Sequence, residues 1–307
     1  MKNMFDKILE NKEKLTNKFG EPIHIDSIMV LENGKKYSKY YTKLTLHEMR
    51  SISKVFVALA YGIAIDRGLV DADTYVYPEL SKVVKINNKD NVKKFKKCQI
   101  KHLLTYACGY SEQMFSEKFL VGLEPKDYLD YVVNYPLAYE PGVRHAYNNG
   151  DMFLLSVYFQ EKLKVNLRDF IVKEIFEPLN ITNYIWENYD KYCPGGTGLY
   201  ITHEDMFKLG ELILNKGKYA NTQIVSSKYI ETMCSRVLET PYTVKAERVL
   251  PKEAVGYVMH ISRDGYVFKD GKHGQYLIIN FDKEEIISIL ASESDMGVVT
   301  EMLRGLI

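Results

Sequence analysis

Hydrophobic spacing changes several times along the chain, and each change marks a different element. Phe5, Ile8, Leu9 and Leu15 recur near a 3.6-residue period and Gly20 closes the run, which predicts an amphipathic helix over 2–19. The following segment, IDSIMVLENGKKYSKYYT, sets Asn33-Gly34 between two β-prone runs and predicts a tight hairpin. From Ser51 to Ile65 apolar residues occupy every side, so the helix predicted there has no solvent face; Arg67-Gly68 ends it. Between about 75 and 240, helix-forming segments at 100–105, 126–134, 150–163, 167–176, 203–215 and 226–234 are cut by prolines and by the Pro194-Gly195-Gly196 loop. The pattern then turns to short β-rich runs, AVGYVMHI, YVFKDG, GQYLIINF and EIISILAS, whose joints are read at 263–265, 269–271 and 282–284. These predict an antiparallel meander, closed by an amphipathic helix at 296–306.

Strands at both ends with helices between them predict an α+β fold in which the N- and C-terminal segments share one antiparallel sheet, flanked by helices. The expected layout is one catalytic domain over 1–307, with a sheet lobe at about 1–75 and 235–307 and an inserted, mostly helical lobe at about 76–234. A length of 307 residues, 46 % of them hydrophobic, supports a large buried core. Forty-one Lys and Arg balance forty Asp and Glu. No global field therefore favours nucleic acid or an anionic membrane, and the expected partner is a small-molecule substrate. The N-terminus has no apolar run of the kind that forms a signal-peptide core, and no segment reaches the roughly 20 apolar residues of a membrane span. A cytoplasmic protein is expected. Cys98, Cys108, Cys193 and Cys234 show no CxxC spacing and read as reduced thiols. The seven histidines are scattered without ligand spacing, so neither a metal nor another cofactor is expected. His102, His145 and His203 read as structural or surface residues, and Trp186 as a packing residue. Nothing in the sequence specifies an oligomeric state.

Three short motifs carry candidate chemistry. Ser51-Ile-Ser-Lys54 opens the buried helix, and i,i+3 spacing puts an amine one turn from a hydroxyl on the same face. Serine needs a neighbour to take its proton, and lysine can do so only if its pKa falls from near 10.4 towards neutrality, as burial and a second cation would cause. The turn Glu140-Pro-Gly-Val-Arg-His-Ala-Tyr147-Asn-Asn149 delivers a phenol and a carboxamide just before the helix at 150–163. Lys272-His273-Gly274 opens the run GQYLIINF, where a strand start aims a cation into a cleft and leaves the Gln275 amide free to donate. Lys269-Asp-Gly271 matches the same pattern, and reads as a hairpin tip.

In this order the motifs resemble those of the penicillin-binding-protein/β-lactamase superfamily: S-x-x-K, a Ser/Tyr-x-Asn turn and a Lys-Thr-Gly strand. Tyrosine in the second motif is similar to the branch holding class C β-lactamases, D-alanyl-D-alanine carboxypeptidase-like proteins, esterases and 6-aminohexanoate-oligomer hydrolases. IKHLLTYACGY, EPGVRHAYNNGDMFLLS, IFEPLNITN and GGTGLYITHEDMFKLGELILNKGKY extend the likeness over roughly residues 25–295. The resemblance implies a serine hydrolase in which Ser51 attacks an ester or amide carbonyl. Lys54 and Tyr147 would share the abstracted proton, Lys272 would keep the field positive, and the Ser51 and Gln275 amides would bind the oxyanion. Asn149, His273, Gly274 and Gln275 would line the substrate site. His273 stands where carboxylate-binding relatives carry a hydroxyl. An esterase or amide hydrolase on a small molecule is therefore expected first, with a β-lactamase or D-alanyl-D-alanine carboxypeptidase, or a silent binding protein of the same fold, as alternatives.

Overall fold

The structure is a computed structural model that describes residues 2–43, 45–115, 117–240 and 248–307. Its strands are β1 (Ile25–Glu32), β2 (Lys35–Tyr40), β3 (His47–Glu48), β4 (Tyr200–Ile201), β5 (Lys218–Tyr219), β6 (Thr222–Gln223), β7 (Leu238–Glu239), β8 (Ala254–Val255), β9 (His260–Ile261), β10 (Tyr266–Gly271), β11 (Gln275–Asn280) and β12 (Glu285–Ala291). Eight of these form one antiparallel sheet in the order β2-β1-β12-β11-β10-β9-β8-β7, so the N-terminal hairpin lies beside the last strand of the C-terminal meander. The hairpin forms as its sequence predicts: Asn33 and Gly34 both take positive φ, 50° and 70°, the backbone that a two-residue turn between twisted strands requires.

The helices are α1 (Met4–Lys12), α2 (Ser53–Asp66), α3 (Tyr77–Val83), α4 (Lys89–Phe95), α5 (Ile100–Leu104), α6 (Glu117–Leu120), α7 (Tyr128–Asn134), α8 (Gly150–Leu163), α9 (Leu167–Ile171), α10 (His203–Leu214), α11 (Ser227–Met233) and α12 (Met296–Glu301). Helix α1 is shorter than the apolar spacing predicts. The Asn17 side chain accepts the amides of Phe19 and Glu21, at 2.9 and 3.1 Å, and this local turn competes with helix over 13–19. The run at 167–176 is likewise divided: α9 gives way to wider π turns over Val172–Phe176. The terminal helix stops at Glu301, short of the expected 306.

Pleating divides the sheet into two faces. On one, Ile28, Val30, Phe268, Tyr276, Ile278, Ile287 and Ile289 pack with residues of α1 and α12. On the other, Met29, Val267, Leu277, Ile279, Ile286 and Leu290 join the large core that holds α2, α8 and α10. Every residue of α2 from Ser53 to Ala64 is buried, as its unbroken apolar sequence demands. The short turn that leads into the helix, Arg50–Ile52, lies against β10. Gly271 is needed there: a Cβ would come within 3.0 Å of the Met49 carbonyl oxygen and of the Arg50 side chain. No helix among the described residues is long and apolar enough to cross a membrane.

Candidate active site

Ser51 lies in a 3₁₀ turn, Arg50–Ile52, that feeds directly into α2. Arg50, just before it, holds a left-handed φ of 49°, a conformation unfavourable for a side chain with a Cβ. Its guanidinium is paired with Glu48 at 2.9 Å. One turn into the helix, Lys54 is completely buried; its Nζ donates to Ser51 Oγ at 2.9 Å and to the Gly196 carbonyl at 2.6 Å. Tyr147 reaches the same oxygen, its hydroxyl donating to Ser51 Oγ at 2.5 Å, with Lys54 Nζ 5.2 Å from its ring centroid. An amine and a phenol thus converge on one serine.

The loop that carries Tyr147 is braced along its length by residues 106–114. Tyr139, Gly142 and Ala146 donate their amides to the carbonyls of Gly109, Ala107 and Tyr106 at 2.8–2.9 Å, and Asn149 donates to Met114. Gly109 permits this close approach with a φ of 123°, since a Cβ would strike the Tyr139 carbonyl oxygen. Asn149 ends the loop with its side-chain oxygen buried and facing Gly196, where a Cβ would lie 3.2 Å from both Asn149 Oδ1 and Lys54 Nζ.

The second ammonium is Lys269. It is fully buried on β10, donates to the Tyr106 hydroxyl at 2.9 Å, and lies 4.8 Å from the Tyr147 ring centroid. The sequence-based expectation gave this place to Lys272, and the placement of β10 corrects it. The strand runs through Gly271, and the reversal falls on Lys272-His273-Gly274, where His273 and Gly274 take φ of 74° and 94°. Alternation then puts Lys269 on the face of Val267 and Leu277, towards Ser51, whereas Lys272 is exposed in the turn. The His273 carbonyl accepts the Glu293 amide at 3.0 Å, Gly274 abuts Ala291 and Val299, and the Gln275 carboxamide donates to the Ala291 carbonyl at 2.9 Å. These three residues brace the turn against β12 and α12.

Burial governs the electrostatics. Loss of solvent, helped by the nearby Lys269 cation, holds Lys54 well below the ordinary lysine range. Burial likewise lowers Lys269 to about 7, against the opposing pull of Asp270. Tyr106 is pushed well above the ordinary phenol range by burial and so keeps its proton. Its role was missed in the sequence, although it sits within the family-like segment LLTYACGY. In the sequence Gly196 reads only as part of the Pro194-Gly195-Gly196 loop. His203 is a buried structural residue, bonded to Ser27 and Ser288 at 2.6 and 2.7 Å, and Trp186 packs with its indole nitrogen donating to the Thr197 carbonyl at 3.0 Å. Among the described residues no group of three or more His, Cys, Asp or Glu side chains could hold a metal ion.

The chain is similar to known proteins in sequence and in fold. The family model described as Beta-lactamase matches residues 23–304. A beta-lactamase of Escherichia coli (strain K12) is 27 % identical over 150 residues, which are 48 % of this chain and 36 % of the relative; the chain thus aligns with little more than a third of that protein's length. Among solved structures, the octameric penicillin-binding protein homologue from Pyrococcus abyssi superposes with a TM-score of 0.75 at 18 % identity, over 99 % of this chain and 75 % of the other. EstCE1, a hydrolase with promiscuous acyltransferase activity, gives 0.74 at 14 % identity over 98 % of each chain.

Proposed function

The chain belongs to the beta-lactamase family, and from that premise we propose that this serine hydrolase works through an acyl-enzyme on Ser51, with small neutral esters or amides as substrates. The observation that carries the reading is the convergence of Tyr147 OH and Lys54 Nζ on Ser51 Oγ at 2.5 and 2.9 Å. Both groups donate to Ser51 Oγ, and whichever of them is in its basic form, an uncharged Lys54 amine or a Tyr147 phenolate, can take the serine proton as Ser51 attacks. Burial holds Lys54 well below the ordinary lysine range, which favours the uncharged amine that takes the Ser51 proton, and the Tyr147 hydroxyl can give its own proton to the leaving group and regain one from the Lys54 ammonium. Lys269 supplies the positive charge that favours a phenolate and a developing oxyanion. Backbone amides of Ser51 and of the turn leading to Gln275 are the donors assigned to that oxyanion. Attack by water on the ester, with the same groups acting in reverse, would restore the serine. The transferase activity named for EstCE1 is chemistry that such an acyl-enzyme would also support.

Preference for neutral substrates rests on the strand triplet that reaches the site, Lys269-Asp270-Gly271. Its middle residue, Asp270, carries no hydroxyl to donate to a substrate carboxylate, and its own carboxylate is turned to the other face of the strand and paired with Lys252 at 2.7 Å. A second reading, hydrolysis of β-lactams, is favoured by the family match and the E. coli relative. Hydrolysis rates on p-nitrophenyl esters, D-amino-acid amides and a penicillin separate the two. Ester or amide turnover at least tenfold above penicillin turnover is expected; the reverse order would favour the second reading.

A further inference from the structure

Two of the four cysteines meet beside the segment that braces the Tyr147 loop. Cys98 precedes α5 and Cys108 follows it, and the short helix turns the chain back so that the two sulfurs lie 3.7 Å apart, both fully buried. Backbone bonds hold this return. The Tyr106 and Ala107 amides donate to the Leu103 and His102 carbonyls at 3.2 and 2.7 Å, while Cys98 donates its amide to Phe95 and accepts from Val76. Cys193 and Cys234 make no such contact with another thiol among the described residues. On the far side, Cys108 stands among the carbonyls of Tyr106, Ala107 and Gly109, which accept the amides of Ala146, Gly142 and Tyr139, and the Tyr106 hydroxyl accepts from Lys269.

We propose that Cys98 and Cys108 are an oxidisable pair that closes to a disulfide with hydrogen peroxide as oxidant, and that the bond slows acylation of Ser51, an effect that rests on the serine-hydrolase reading above. A small oxidant is needed because neither sulfur is exposed, and its entry requires local opening. The Cys98 thiolate attacks one peroxide oxygen and becomes a sulfenic acid; the hydroxide expelled takes up the thiol proton and leaves as water. Cys108 then attacks the Cys98 sulfur, its own proton departing with the sulfenic hydroxyl as a second water. Two thiols and one peroxide thus give one disulfide and two waters, with two electrons passed from sulfur to oxygen. The second step falls to Cys108 because burial and the Cys98 contact push its thiol well above the ordinary range, so it holds its proton. A disulfide is about 2.05 Å long, so the sulfurs must close up from contact distance and the backbone beside them must yield. A shift at Cys108 passes to the Tyr106 hydroxyl and to the Tyr147 loop, whose alignment with Ser51 sets the rate of proton transfer.

Trypsin cuts after Lys101, between the two cysteines, so the bond is read directly as two linked peptides under non-reducing conditions. The full chain is treated with hydrogen peroxide, unfolded, and its remaining thiols are blocked with N-ethylmaleimide before its mass is measured. Acylation of Ser51 by p-nitrophenyl butyrate is followed on the same samples. Two of the four thiols should disappear into a Cys98–Cys108 link, and dithiothreitol should return them. Acylation should fall by about fivefold or more on oxidation, the scale of a sub-ångström misplacement, and recover with the thiols. Cys98→Ser and Cys108→Ser should keep their acylation through the treatment. Cys193→Ser/Cys234→Ser, which leaves the pair intact, should behave as the unaltered protein. Four blocked thiols after treatment, sulfinic acids without a link, or a link through Cys193 or Cys234 overturns the pair. A Cys98–Cys108 link with unchanged acylation overturns its effect on the site. Absence of Ser51 acylation in the reduced protein would instead overturn the serine-hydrolase reading, and the linked peptides would still decide the pair.

Discussion

The Lys269 ammonium lies 4.8 Å from the Tyr147 ring centroid and donates to the Tyr106 hydroxyl at 2.9 Å, so one buried cation lies beside two phenols whose own rings are 4.8 Å apart. Lys272, three residues on, is exposed in the β10–β11 turn. Lys269→Met should therefore lower the rate of Ser51 acylation by roughly 100-fold or more, the scale of losing a preorganised charge. Lys272→Ala should change it by less than about tenfold. Stopped-flow ester hydrolysis compares the two, and equal losses would contradict the placement.

Tyr147 contributes a ring and a hydroxyl that can be separated. Tyr147→Phe keeps the packing against Tyr106 and removes the atom that lies 2.5 Å from Ser51 Oγ. Acylation should drop by about 10²–10⁴, the range for loss of a general acid–base group, with thermal stability little changed. A loss of stability with unaltered acylation would assign Tyr147 to packing alone.

Gly196 leaves room beside Lys54. A Cβ there would sit 3.2 Å from both Lys54 Nζ and Asn149 Oδ1, and the Gly196 carbonyl is itself an acceptor for Lys54. Gly196→Ala should displace the amine by a few tenths of an ångström and reduce acylation by about tenfold or more, because proton transfer depends steeply on alignment. Full activity in this variant would show that the Lys54 position tolerates crowding.

Acid sensitivity of the fold should have a definite source. His203 is buried between Ser27 and Ser288, and loss of solvent lowers its pKa to about 3. An unfolded histidine titrates near 6.5, so between these values the unfolded chain binds the extra proton. Stability is full above about 6.5 and falls as pH drops towards 3, by an amount on the order of 4 kcal/mol. His145, lowered to about 4, adds in the same direction. Replacing His203 by Gln should flatten the dependence of Tm on pH across this window; an unchanged slope would place the acid sensitivity elsewhere.

The elements with strong local signals were readable in sequence. Asn33-Gly34 dictated the hairpin, the all-apolar run after Ser51 dictated a helix buried on every side, and Pro-Gly near Tyr147 dictated a turn before α8. The spacing of Ser51 and Lys54 brought the two side chains together because an α-helical turn closes that distance. The third lysine was not decided by local pattern, since two Lys-x-Gly triplets stand three residues apart and either could close the hairpin. Strand alternation contained the answer: in YVFKDG, Lys269 shares a face with Val267, and a lysine on a buried face requires a partner. Tyr106 and Gly196 act through contacts with residues over forty positions away, for which a single sequence carries no local signal.

The central claim is that Ser51 forms the acyl-enzyme. Intact mass measured within seconds of mixing the protein with p-nitrophenyl butyrate, followed by peptide mapping, tests it most directly. A single added butyryl group on Ser51, absent in Ser51→Ala and decaying in water, is the expected result. A butyryl group on another residue, or an adduct that persists unchanged in Ser51→Ala, would contradict the account.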